Sequence, residues 1–384
     1  MTFLSIGLIA FACSTSSAKT GTATLIVSGN VHSQLDPCGW KRNPTGGLPR
    51  KATFVNKLRK QGSDPLIIDA GDIFFDQQYP SELNVQQSKL RSETVISGFN
   101  IIGCDALNMG SKDFAAGLEF VLQMKELANF PFISSNITDD SGSLLFEPYV
   151  ILDKLPFSYG VTGVATSLPA ELKTVGLADV ETSVSNVLAE MEEKSDFQIV
   201  LFNGTYEEAV FYRPKFTSAD YMFISGDTQN PIGKMKNPEV GPRMYRLGKQ
   251  GKAMAMITLT VENPDLTLAD ITELKLKEEF IQRQLVRMNK DEPSKSLEEI
   301  YADQPPMLDR ISQIREALKE TQKELAGVIN SSRFDFPPMD RSLDDEPQML
   351  GMITKTLTAC DQLAEESGKS TGSWIPIHQW AKQP

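Results

Sequence analysis

The chain has 384 residues, 40% of them apolar and 23% charged, with 26 Gly and 22 Pro. This is the balance of an ordinary globular protein, and it excludes collagen-like, disulfide-dense and polytopic membrane classes. With 38 basic against 50 acidic residues the net charge is −12, a field that repels phosphate backbones and argues against a nucleic-acid partner. Only His32 and His378 supply imidazoles, so any chemistry that needs several of them is excluded at the outset.

The chain opens on an apolar run from Phe3 to Cys13, too short for a permanent bilayer span, which reads as the core of an export signal. Cys13 follows Ala12 and precedes Ser14-Thr15-Ser16-Ser17. That context resembles the processing site of a bacterial lipoprotein, where the cysteine carries lipid and the serines form a tether. Residues 1–20 are therefore expected to be signal and tether, with Cys13 anchoring the protein in the periplasm or cell envelope. The alternatives are a soluble exported form and a buried first strand. With Cys13 lipidated, Cys38, Cys104 and Cys360 are an odd number, so at least one thiol stays free; Cys104, in the apolar run after Ile101, is the expected one.

Beyond the tether, short β-rich runs alternate with amphipathic stretches. Strands are predicted at 23–27, 66–69, 105–108, 130–134, 149–152, 160–165, 198–201, 221–224 and 253–261. Helical periodicity fits 47–61, 82–102, 115–128 and 182–194. Such alternation predicts an α/β architecture. After Pro264 the text turns helical and rich in Lys and Glu. Ile311, Leu318 and Leu325, with Ile314, Thr321 and Val328, form a two-heptad seam. An earlier run with Ile271, Leu274, Phe280, Ile281, Leu285 and Met288 is its expected antiparallel partner. The predicted division is 21–263 for the main domain and 264–384 for a helical hairpin and tail.

In α/β sheets, ligands gather at the carboxyl ends of strands. The turns there read Gly29-Asn30-Val31-His32, Ala70-Gly71-Asp72, Gly110-Ser111-Lys112-Asp113, Phe202-Asn203-Gly204 and Gly226-Asp227-Thr228-Gln229. Between the first two lie Asp36-Pro37-Cys38-Gly39 and Gly46-Gly47-Leu48. In this order the chain resembles the calcineurin-like metallophosphoesterases, in the branch of periplasmic 5'-nucleotidases and cyclic phosphodiesterases, over residues 23 to 262. The resemblance implies a four-layer α/β/β/α sandwich of two mixed sheets, here with a C-terminal helical extension.

The resemblance also implies two divalent metals, and a metal-bound hydroxide that attacks phosphorus. Of the ligand positions it carries over, His32 and Asp72 are retained, while Asn30, Ser111, Asn203, Asp227 and Gln229 are substituted. Lys112 stands at the position of the catalytic histidine, and Ala115 where that histidine's aspartate partner belongs. Zinc favours imidazole and thiolate donors, so this set predicts no cofactor and lost catalysis. Lys112 is expected to lie between Asp72 and Asp227, balancing carboxylates that would otherwise repel each other. The expected function is a non-catalytic exported binding or assembly protein, held on a membrane by lipid on Cys13, with a possible protein partner. The alternative is a phosphoester hydrolase, acting on a phosphoester or nucleotide through an altered oxygen-ligand site for Mg, Ca or Zn.

About 120 residues follow Asn263. Dedicated 5'-nucleotidases carry a second large domain there that stacks the nucleobase, and a nucleotide pocket is correspondingly not expected. Trp374-Ile375-Pro376-Ile377-His378 resembles the place where some relatives open a haem-bearing segment, but both attachment cysteines are absent, so no thioether to haem forms. The other reading of the tail is an amphipathic segment docked through Trp374 and Trp380.

Overall fold

The computed structural model describes residues 19–39, 43–229, 240–289 and 292–367. The stretch expected to be an export signal, with Cys13, and the tail with Trp374, His378 and Trp380 lie outside the described residues. The strands are β1 (Gly21–Ser28), β2 (Leu66–Asp69), β3 (Ala106–Asn108), β4 (Phe132–Ile133), β5 (Ile137–Asp139), β6 (Tyr149–Lys154) and β7 (Phe157–Ala165). They continue with β8 (Val175–Leu177), β9 (Phe197–Asn203), β10 (Tyr221–Ser225), β11 (Arg243–Arg246), β12 (Ala255–Val261), β13 (Ala269–Asp270) and β14 (Ser331–Asp335). The helices are α1 (Leu48–Lys60), α2 (Glu82–Ile102), α3 (Leu118–Leu127), α4 (Val180–Met191), α5 (Tyr206–Tyr212), α6 (Thr272–Met288), α7 (Leu297–Ile300), α8 (Pro305–Ala326) and α9 (Pro347–Glu366).

Two mixed sheets stack face to face, one ordered β13-β14-β12-β1-β2-β3-β4 and the other β11-β10-β9-β7-β6, with β5 and β8 forming a small separate pair. Period-two alternation distributes side chains between the layers. Leu25 and Val27 of β1 meet Tyr159, Val161, Ile199, Leu201 and Phe223 of the second sheet in a buried layer between the sheets. Ile26 turns the other way and packs with Val55, Val95, Phe99, Ile353 and Leu357 from α1, α2 and α9. On the outer face of the second sheet, Val200, Phe202 and Ile224 meet Val184 and Leu188 of α4 and Ala209 of α5. The result is the α/β/β/α sandwich that the sequence resemblance implies.

Helix α2 shows how local chemistry sets the limits of an element. The Ser81 hydroxyl accepts from the Asn84 amide at its start, and Gly103 ends it in the left-handed region at φ 79°. The predicted hairpin is present as α6 and α8, with Ile281, Ile311 and Thr321 buried. Two features differ from the expectation of helices alone after Pro264. Strand β14 runs antiparallel to β12, and β13 extends the sheet beyond it. Helix α9 buries Met349, Ile353, Leu357, Cys360 and Ala364. Cys38, Cys104 and Cys360 are all free thiols, and Cys104 and Cys360 are buried.

Candidate functional site

The parallel strands of both sheets end at one edge of the sandwich, and their turns are stitched together there. Asn30, His32 and Ser33, in the turn after β1, donate backbone amides to the carbonyls of Gly71, Asp72 and Ile73 at 2.9, 3.1 and 2.8 Å. Asn30, His32, Ser33 and Asp72 all hold φ between 51° and 57°, a conformation that costs non-glycine residues energy and clusters at functional sites. In the next turn, a Cβ on Gly110 would collide with Asp72 and with Asn203. Only glycine therefore lets the turn after β3 close over Asp72.

Lys112, in that turn, grips Asp72 twice. Its ammonium lies 2.9 Å from Asp72 Oδ2 and its backbone amide 3.0 Å from Oδ1. The ammonium is also 3.5 Å from His32 Nε2. Burial, reinforced by Lys112, lowers the His32 imidazole to about 4, so the ring is neutral at pH 7, and in the tautomer protonated at Nδ1 its Nε2 accepts from Lys112. The Asp72 side chain is 1% exposed, and an isolated carboxylate there would be costly.

Asp227 departs from the expectation that Lys112 would serve both carboxylates. Its Oδ2 pairs with Arg246 Nε at 3.2 Å, and Arg246 lies over the Tyr206 ring at 3.8 Å. The two carboxylates are thus neutralised separately, by cations from different strand ends. Arg246 does not stand out in the sequence because it ends β11 itself, outside the turn motifs, and reaches the Asp227 turn only through the pairing of β11 with β10.

Asp113 was missed as well. Its carboxylate accepts from the amides of Asp72, Gly110, Ile73 and Phe74 at 2.7–2.9 Å and braces the turn that carries Asp72. Burial and the neighbouring Asp72 push its carboxyl up to about 8, against the pull of the Phe74 and Gly110 amides. An acid three residues after Gly110 is the sequence signal for such a brace.

The remaining candidates are brought to the same edge but are committed to the frame. Asn30 donates to the carbonyls of Asp227 and Gly248 and accepts from the Gly226 amide. Asn203 accepts from the Ser111 amide and donates to Ser225. Ser111 accepts from Gln78 and from Ser167, and Gln229 accepts from Arg246 at 3.3 Å. Ala115 carries no group to orient a base. Beside Ser111 lies a cavity of about 460 Å³, whose walls include Gln78, Tyr79, Phe114, Pro169 and Leu172.

This donor set does not fit the pair of divalent ions that the fold family implies. A cation at Asp72 would face the ammonium of Lys112 within ion-pairing distance, and a second at Asp227 would face a guanidinium. The amide oxygens of Asn30 and Asn203 already hold backbone donors. Among the described residues no three His, Cys, Asp or Glu side chains converge as metal ligands.

No protein-family model matches the chain. A 5'-nucleotidase of Vibrio cholerae is 29% identical over 261 residues, which is 61% of this chain and 45% of that protein. The chain therefore spans less than half the length of this curated relative. A 5'-nucleotidase precursor from Thermus thermophilus superposes with a TM-score of 0.60 at 15% identity, over 90% of this chain and 59% of that one. A calcineurin-like phosphoesterase from Bacillus subtilis gives 0.61 at 16% identity, over 90% and 99%. By sequence the chain is similar to curated 5'-nucleotidases over somewhat more than half its length, and its fold is that of the calcineurin-like phosphoesterases.

Proposed function

We propose that this chain is a non-catalytic member of its family, an exported binding or assembly protein held at a membrane surface by lipid on Cys13. The observation that carries the reading is the Lys112 ammonium at 2.9 Å from Asp72 and 3.5 Å from His32, which sets a fixed positive charge where the family's chemistry needs an exchangeable cation. Among the described residues no side chain at this edge is placed to protonate a leaving alkoxide: Lys112 occupies the histidine's position and is engaged with Asp72. What the edge retains is a rigid frame of turns beside a cavity of about 460 Å³, which suits recognition better than turnover.

A second reading draws on the kept geometry of those turns. In it, Asp72, Asp227, Asn203, Gln229 and Ser111 serve a harder cation such as Mg or Ca, with His32 and Asp72 as core ligands of an altered phosphoesterase. Hydrolysis of AMP and of mono- and diester nitrophenyl phosphates by the purified chain and by His32→Ala separates the two. The first reading expects no turnover above blank from either protein. Turnover that His32→Ala abolishes establishes the second.

A further inference from the structure

The edge opposite the strand-end turns carries a surface that the site does not use. There β1 begins at Gly21 and β7 at Phe157, directly after the β6–β7 hairpin tip Leu155-Pro156. A Cβ on Gly21 would stand 2.8 Å from the Pro156 ring, so the tip lies against the point where the chain enters the first sheet. Lys19 is fixed at the same edge, its ammonium 2.8 Å from Asp196 just before β9. Leu155 is 89% exposed. Leu266 and Ile329, 45% and 46% exposed, flank the start of β14, where the Asn330 amide donates to the carbonyls of Asn263 and Leu266 at 2.6 and 2.7 Å. Ile101 and Leu127, at the ends of α2 and α3, face solvent at the same edge.

Exposed leucine at a hairpin tip is costly in water and gains by entering an apolar phase. What covers it follows from where the chain continues. The apolar run ending at Cys13 stands six residues before Lys19, which bounds its distance from this edge at roughly 20 Å even in a fully extended chain. We propose that this edge rests on a lipid bilayer, with Leu155 at the interface and Leu266 and Ile329 beside it, so that the turns holding Lys112 and Asp72 face away from the membrane. The proposal rests on the anchored reading above and adds to it an orientation and a contact surface. Lys19 and Lys154, the basic groups nearest the hairpin tip, are paired with Asp196 and Asp105, so contact at Leu155 is expected to be apolar, with Lys57 and Lys60 at the end of α1 left to face the headgroups.

The test uses the full chain, expressed with Cys13 intact and bound to vesicles of phosphatidylethanolamine and phosphatidylglycerol. In a Cys38→Ser background, nitroxide labels are placed at Leu155→Cys and Leu266→Cys, with Lys249→Cys at the opposite edge as reference. Flotation with the vesicles is read first, then the accessibility of each label to oxygen and to a water-soluble nickel chelate. The proposal expects flotation, and a several-fold higher oxygen-to-nickel ratio at 155 and 266 than at 249. A chain that does not float overturns the anchored reading and the docking with it. A chain that floats with all three labels equally open to nickel overturns the docking alone, as does shielding of 155 from both quenchers, which marks a protein partner instead.

Discussion

Lys112 holds both oxygens of one carboxylate, its ammonium 2.9 Å from Asp72 Oδ2 and its amide 3.0 Å from Asp72 Oδ1. Replacing Lys112 with Met keeps the amide bond and removes the charge, which isolates the ionic part of the contact. A carboxylate only 1% exposed then loses its cation, at a cost of about 1–3 kcal/mol. Urea denaturation at pH 7 measures it, and a variant as stable as the parent would show that Asp72 is satisfied by other means.

A second buried charge supports the same turn from below. The Lys51 ammonium donates to Ser28 Oγ at 2.6 Å, Ser28 donates to Asp69 Oδ2 at 2.6 Å, and Asp69 Oδ1 accepts from the Gly71 amide at 3.0 Å. Burial pushes the Lys51 ammonium down and the Asp69 carboxyl up, so each ion depends on the other. Lys51→Met is expected to cost about 3–5 kcal/mol, and Lys51→Met with Asp69→Asn clearly less than the sum of the two single changes. Additive losses in the double-mutant cycle would show that the relay does not couple them.

Gly110 tests the closeness of the turns. Gly110→Ala introduces a methyl into space held by Asp72 and Asn203, with an expected loss of about 1–3 kcal/mol or more. Gly117→Ala is a poor control because of its φ of 86°, whereas Gly351, with open space around it, should accept alanine at no cost. Equal midpoints for Gly110→Ala and Gly351→Ala would contradict the packing described.

Asp36 gives a pH signature. Burial raises its carboxyl from 3.8 to about 7, partly offset by Arg91. A raised carboxyl favours the protonated fold, so its contribution is complete below about 4 and is lost as pH rises through about 7. Relative to Asp36→Asn, the parent should lose on the order of 2–4 kcal/mol between pH 4 and pH 8. Parallel stability curves for the two proteins would contradict the burial of this acid.

Much of this fold could be read directly because strand ends and helix caps are local. The limits of α2 and β2 coincide with the predicted ones, since Ser81 and Gly103 fix one and the four-residue buried run before Ala70 fixes the other. The gathering of the five turns also followed from their order along an α/β chain. What escaped was pairing between segments distant in sequence. Arg246 reaches Asp227 from a neighbouring strand end, and β14 returns to β12 across the whole helical hairpin. Asp113 escaped for a different reason: its spacing from Gly110 is the local sign of a capping acid, but three of its four amide partners, on Asp72, Ile73 and Phe74, lie in a turn about forty residues away.

The central claim is that a tethered ammonium takes the place of a cation at Asp72, and a metal titration of thermal stability tests it most directly. Mn²⁺ is added to the full chain and to Lys112→Ala, and Tm is followed against concentration. The account predicts a parent Tm that does not move with the metal, and a variant that starts lower and rises as metal is added. A parent stabilised by Mn²⁺ at least as strongly as the variant would contradict it.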